Sequence, residues 1–577
     1  MLKMRRFLER WIGSDGVENY ALLAVLLASL IASVGFWFGR PCSGWYFWCG
    51  FSVSLVLISF CGLKRCVGLV ALLGICWLLA AWTFPYVGID YKVYHAPMQR
   101  LLINGWNPVF QGLMEDVSSL TDNGCSIYRT LFFAHGCELI CALVAKATGL
   151  FLADAFFSYL AAFVVFSSAS RFAVREWKIA GYATFLFAVV AAFPFVFFVT
   201  FIGAIDYPLY AMLASAFFAT LNYERDHQRR DLFTALVCLA LGLVFKANGA
   251  YLCVLGFGYL AIRHFRRFEV RVGVLTAVLA ACLLGATPYL TAWIHYGSPF
   301  YPLHTFNPNV QLFDINHDFT QNADADQMGY LARIVYAWFS KTLAIWGCAL
   351  LSGKSDFNPY FGVPGGVAGM KELFKIFMWC AVIALALAKK TRVTLAALVV
   401  FGLSNLAPLR YIGYGRYFAF IWLVPLLAAY NLMNNPLPLA QPLMRWGRYV
   451  VLVAYSGLSV SIFAKATAHY VRQAAFEGLR QEALDGAQKD GVVFTAWDEC
   501  CRYTLHERLY HVKGVDYDPS SNAVKVAFSD TYLMPGITPE REKWLDDMFP
   551  VCYKLKDYGR FEWRAALKHW PHILMER

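Results

Sequence analysis

The sequence predicts an all-α polytopic membrane protein of about 13 transmembrane helices, followed by a small α/β extracytoplasmic domain at the C-terminus. Three observations predict it. Of 577 residues, 59% are hydrophobic and 15% charged, where ordinary soluble chains run roughly 45–50% and ~25%. Apolar segments near the length needed to cross a bilayer recur through the first 464 residues. Lys and Arg gather in alternate short connections, the asymmetry that sets membrane orientation.

This composition excludes a soluble multidomain protein and a disordered one. Mean hydropathy is +0.49. The 48 Phe, 32 Tyr and 18 Trp suit lipid contact and interfacial belts. The 50 Lys plus Arg exceed the 38 Asp plus Glu, giving +12. In such a chain the excess reports orientation, and no nucleic-acid partner is inferred from it. No Walker motif or GxGxxG fingerprint occurs, which argues against an ATP-driven pump.

In order along the chain, the predicted spans lie near 20–38, 45–62, 67–86, 152–172, 179–201, 206–222, 232–246, 250–262, 272–290, 372–388, 393–406, 417–430 and 449–464. The first is too long for the apolar core of a signal peptide. It runs into Gly39-Arg40-Pro41 with no small-residue cleavage site. One alternating set of connections carries Lys3, Arg5, Arg6 and Arg10; Lys64 and Arg65; Arg171, Arg175 and Lys178; Arg225, Arg229 and Arg230; Arg263, Arg266, Arg267 and Arg271; Lys389, Lys390 and Arg392; and Arg445 and Arg448. That set is assigned to the cytoplasm. The opposite set holds the long, acid-bearing loops 87–149 and 291–371 and the tail 465–577. The N-terminus is therefore expected inside and the C-terminal domain outside.

The stretch 131–147 is apolar but contains His135, Glu138 and Lys146. It reads as an amphipathic helix lying at the outer interface, as does 330–351. The tail has a charged helical pattern over 469–489 and short apolar runs such as Val492-Val493-Phe494. The 16 Cys show no metal-ligand spacing, and Cys49, Cys61, Cys76, Cys238, Cys253, Cys282 and Cys380 sit in apolar runs as packing residues. Cys552 could pair with Cys500 or Cys501 in an oxidising compartment.

Candidate chemistry maps to the outer face. Asp90, in Gly88-Ile89-Asp90-Tyr91, stands where the third span leaves the bilayer. Partial desolvation on a rigid helix end suits a general base; a helix-end Asp held by backbone N–H groups is the plainer reading. Asp206, in Ala204-Ile205-Asp206-Tyr207-Pro208, falls in a short apolar outer turn. A carboxylate there is costly without a role, and a helix N-cap is the alternative. Leu409-Arg410-Tyr411-Ile412-Gly413-Tyr414-Gly415-Arg416-Tyr417 is an outer turn with two Arg among Gly and Tyr. Guanidinium forks hold phosphate oxygens in pairs; snorkelling or pairing with the two Asp is the alternative. Lys246, beside Asn248-Gly249, adds a cation. Tyr301 lies in Tyr296-Gly297-Ser298-Pro299-Phe300-Tyr301-Pro302-Leu303, a rigid turn whose aromatics suit a lipid or sugar groove. Tyr94, His95, Lys246, Tyr301, Arg410, Tyr414 and Arg416 form the candidate substrate-binding set, and Asp90 and Asp206 the catalytic pair. No metal site is assigned. No cofactor is called for, and nothing in the spacing indicates a divalent cation.

On these residues the chain resembles the GT-C superfamily of integral-membrane glycosyltransferases, among them aminoarabinose, mannosyl and arabinofuranosyl transferases. The resemblance covers about 460 residues of topology, a first outer loop with an acid just past a span (GIDYKVYHAPMQRLLINGWNP), a second acid in the next outer turn, the GSPFYPL segment, and the late Arg/Tyr turn. Asp90 is single rather than paired, and its loop follows the third span rather than the first. The resemblance implies inverting transfer of a sugar from a polyprenyl-phosphate donor to an extracytoplasmic glycolipid, polysaccharide or protein, in contact with membrane lipids. Asp90 would deprotonate the acceptor, Arg410, Arg416 and Lys246 would hold the phosphate, and Asp206 would position the acceptor or orient a cation. A lipid or glycolipid flippase, an O-antigen polymerase or ligase, and an envelope-assembly scaffold are the competing readings.

Overall fold

The computed structural model describes residues 6, 8–13, 16–81, 95–103, 105–110, 135–150, 153–179, 181–202, 206–285, 289–296, 370–404, 423–442, 493–494, 525–527 and 551–552. These form α1 (Val17–Trp37), α2 (Gly44–Ser59), α3 (Leu63–Ala81), α4 (Ala96–Ile103), α5 (Gly136–Thr148), α6 (Ala153–Trp177), α7 (Tyr182–Ile202), α8 (Asp206–Asp226), α9 (Arg229–Phe245), α10 (Ala247–Arg263), α11 (Phe268–Gly285), α12 (Thr291–Tyr296), α13 (Met370–Leu387), α14 (Arg392–Ser404) and α15 (Leu423–Asn434). Helices overlap every predicted segment except 449–464, which lies outside the described residues. Among the described residues four are long and apolar enough to cross a membrane: Val17–Trp37, Leu63–Ala81, Ala155–Trp177 and Phe268–Gly285. Shorter apolar helices accompany them, including Gly44–Ser59, Arg392–Ser404 and Leu423–Asn434. The fold is that of a helical membrane protein.

The surface supports this. On α3 and α11, Val67, Val70, Ile75, Leu78, Leu275, Leu279 and Leu283 all stand exposed. Apolar rows of that extent match lipid rather than water. Several helix serines turn back on their own backbone. Ser29 donates to the Val25 carbonyl (2.8 Å), Ser168 to Val164 (2.6 Å) and Ser404 to Val400 (2.7 Å). This removes the cost of a bare hydroxyl in an apolar setting. Packing is close where glycine permits it. A Cβ on Gly50 of α2 would lie 2.8 Å from the Ala28 nitrogen of α1.

Short connections make neighbours antiparallel, and the described basic connections gather at one end. There, Arg171 of α6 donates through Nε to Asp231 of α9 (3.1 Å) and through Nη1 to Glu18 of α1 and Ser167 (2.7 Å). Arg175 donates to the other Asp231 oxygen (2.7 Å) and pairs with Asp226 of α8 (3.1 Å). Glu176 receives both Arg225 of α8 (2.9 Å) and Arg392 of α14. Arg65 of α3 approaches Glu9 (3.6 Å). Trp177 stacks on Tyr430 of α15 with ring centres 5.4 Å apart, beside Phe187 of α7.

Two expectations are corrected or narrowed. The helix foreseen at the interface over 131–147 is α5, and Cys137 to Val144 are buried on every side against α2, α4 and α6. Its Glu138 is consumed inside the protein beside His135, so its sequence pattern does not mark a lipid-facing stripe. In the tail, β1 (Val493–Phe494), β2 (Lys525–Ala527) and β3 (Val551–Cys552) pair in parallel in the order β1-β2-β3. Parallel neighbours require crossover connections; the rest of 465–577, with Cys500 and Cys501, lies outside the described residues, as do 330–351.

Candidate functional site

At the end of the bundle away from the paired arginines, the segment following the first predicted outer acid is strapped to the helices. His95 precedes α4, whose Met98 and Leu102 are buried. Gly105 takes φ +97°, a left-handed conformation that favours glycine, and turns the chain after α4. Asn107 then donates to the Phe36 carbonyl at the close of α1 (3.0 Å), while its side-chain oxygen accepts from the Val109 N–H (2.9 Å). Lys146, near the end of α5, donates to the Ile103 carbonyl (2.8 Å).

The centre of this region is a buried carboxylate. Glu138, in the first turn of α5, lies 2.8 Å from His95 Nδ1, with both side chains almost wholly buried. His135, just before α5, stands beside the same carboxylate. Burial pushes the Glu138 carboxyl up, but hydrogen bonding and charge from His135 and His95 outweigh it and hold it down at about 2. The N-terminal end of α5 acts in the same direction. A carboxylate flanked by two imidazoles can hold and pass protons. No set of three side chains arranged to hold a metal ion occurs among the described residues.

Two other predicted residues come to this end. Lys246 breaks the helix between α9 and α10 with extended backbone angles (φ −159°, ψ 139°). A Cβ on Gly136 of α5 would lie 2.8 Å from the Val244 carbonyl oxygen, which seats the start of α5 two residues from Lys246. Asp206 opens α8. Leu209, one turn later, packs on Gly249 of α10, one turn past Lys246. The backbone at Asp206 and Lys246 therefore converges, each one turn from the same contact. Asp90, Tyr94, Tyr301, Arg410, Tyr414 and Arg416 lie outside the described residues.

Sequence reasoning singled out His95 but missed its partner. Glu138 sits in the apolar run Cys137-Glu138-Leu139-Ile140-Cys141. The signal was available: a lone carboxyl in such a run must find a donor or be expelled. Also missed were Glu18 and Asp231, which pair with basic residues that the charge bias had placed only in the cytoplasmic set of connections.

No protein-family model, curated protein or solved structure matches the chain.

Proposed function

We propose that the chain is an inverting glycosyltransferase of the GT-C type, moving a sugar from a polyprenyl-phosphate donor to an extracytoplasmic glycolipid, polysaccharide or protein. In this reading the chain spans a bacterial inner membrane about 13 times. The paired-arginine end faces the cytoplasm, and residues 465–577 form an extracytoplasmic domain.

The observation that carries the reading is the polarity of the bundle. Arg171, Arg175, Arg225 and Arg392 are tied up by acids at one end. The other end holds the Glu138 carboxylate with His95, the helix break at Lys246 and the start of α8 at Asp206. Donor phosphate in the outer leaflet would meet that second end. Asp90 would accept the proton of the acceptor hydroxyl as its oxygen attacks the anomeric carbon. The bond from that carbon to the phosphate oxygen would break, leaving polyprenyl phosphate. Arg410, Arg416 and Lys246 would stabilise the charge on the departing phosphate, Asp206 would orient the acceptor, and Tyr94, His95, Tyr301 and Tyr414 would line the groove.

The test is transfer by the purified full chain from polyprenyl-phosphate sugars to envelope acceptors. Asp90→Asn should lower turnover by about 10²–10⁴-fold with expression intact, the range for loss of a positioned base. Arg416→Ala should do the same. Unchanged activity in either variant removes that residue from the mechanism.

A further inference from the structure

The arginines of the paired end are not all alike. Arg171, Arg175, Arg225 and Arg392 each meet a carboxylate of Glu18, Asp231, Asp226 or Glu176. The hairpin between α10 and α11 departs from this. It carries Arg263, Arg266, Arg267 and Arg271 against one internal acid, Glu269, and Arg267 takes that acid at 3.7 Å. Arg263, Arg266 and Arg271 are exposed and show no ion pair among the described residues. Arg271 instead rests over the ring of Phe265 at 5.8 Å.

The cations alternate with apolar side chains that stand out from the protein: Ile262 is 82% exposed, Phe265 63% and Phe268 70%. A turn that leaves an isoleucine and two phenylalanines bare, while retaining three guanidinium groups with no carboxylate partner among the described residues (Arg263 meets the Tyr259 hydroxyl), is poorly matched to water alone. It is well matched to the boundary between acyl chains and phosphate headgroups. The apolar groups enter the chain region, and the guanidinium groups reach phosphodiester oxygens in paired contacts.

We propose that the hairpin formed by Ile262, Arg263, Phe265, Arg266, Phe268 and Arg271 is a binding surface for anionic phospholipid headgroups of the leaflet at the paired-arginine end. This does not depend on the transferase reading. Neutral headgroups carry a balancing cation that would face these guanidinium groups, so selectivity follows net lipid charge. Each basic side chain near an anionic surface is worth roughly a fivefold change in affinity.

The test is native mass spectrometry of the full chain titrated with phosphatidylglycerol, phosphatidylcholine and soluble glycerophosphoglycerol. Phosphatidylglycerol should bind in preference to phosphatidylcholine, and the soluble headgroup should not bind. A triple variant, Arg263→Gln, Arg266→Gln and Arg271→Gln, should lose most of that preference, on the order of tenfold or more, with helix content unchanged. Lys389→Gln with Lys390→Gln, which removes exposed charge elsewhere on the same end, should leave it intact. Equal binding of the two lipids by the wild-type chain would overturn the proposal. So would a triple variant with full preference, or loss of preference in the lysine variant to the same degree. Binding of glycerophosphoglycerol as tight as that of the lipid would also overturn it, by identifying a soluble phosphate site.

Discussion

Glu138 concentrates more consequence than any other described side chain. Its carboxylate is buried at the start of α5 and depends on His95 and His135 for compensation. Removing one partner of a buried pair leaves the other uncompensated, so Glu138→Ala should destabilise the fold by about 3–5 kcal/mol. Glu138→Gln keeps an acceptor for His95 and should cost less; thermal melts in detergent would rank the two. The pH dependence has a defined sign. The folded carboxyl lies at about 2, below its ordinary value of 4.5. Its contribution is therefore complete above about pH 4.5 and is lost as the pH falls toward 2. Wild type should lose stability across that window faster than Glu138→Gln, and parallel curves would contradict the assignment. At this scale the sequence was half legible. Position and spacing single out His95, Lys246 and Asp206, but the partner of His95 lies 43 residues away. No local pattern couples a histidine to a carboxyl that far along the chain.

Among elements, the ion-paired end binds helices remote in sequence. Arg171 reaches Glu18 and Asp231, so one guanidinium joins α1, α6 and α9. Arg171→Met should strand the buried Glu18 carboxylate, leave Asp231 with Arg175 as its one guanidinium partner, and lower stability by about 3–5 kcal/mol. The double variant with Glu18→Gln should recover part of the loss, which a thermal double-mutant cycle reads directly. Helix contact sets a second test. Gly50→Val would force α2 away from the Ala28 backbone of α1. Overpacking at such a site costs about 1–3 kcal/mol, whereas the same change at Gly74, with open space around it, should be nearly neutral. Helix positions were legible because an apolar run of sufficient length has few alternatives in lipid. The environment of α5 was not. Hydropathy reads a carboxyl and a histidine as a wet face, and only tertiary structure supplies the partners that let them be buried.

For the whole molecule, the chain sorts charge along the bundle. Among the described residues, the basic connections that alternate in sequence meet in space at one end, and the acid–imidazole cluster occupies the other. That alternation was readable because orientation depends on a sum over many residues, which tolerates error at any one of them. The proposed meeting of Asp90 with Arg410 and Arg416 rests on segments outside the described residues, whose sequence carries no periodicity to fix them. Reporter fusions would test the orientation: a periplasm-dependent reporter should be active after residue 577 and inactive after residue 265. The most direct measurement is product analysis of the purified full chain in nanodiscs, supplied with a polyprenyl-phosphate sugar and an envelope acceptor. The predicted result is glycosylated acceptor with stoichiometric polyprenyl phosphate, lost in Asp90→Asn. Equal product from Asp90→Asn, or movement of the intact lipid across the bilayer with the sugar–phosphate bond uncut, would contradict it.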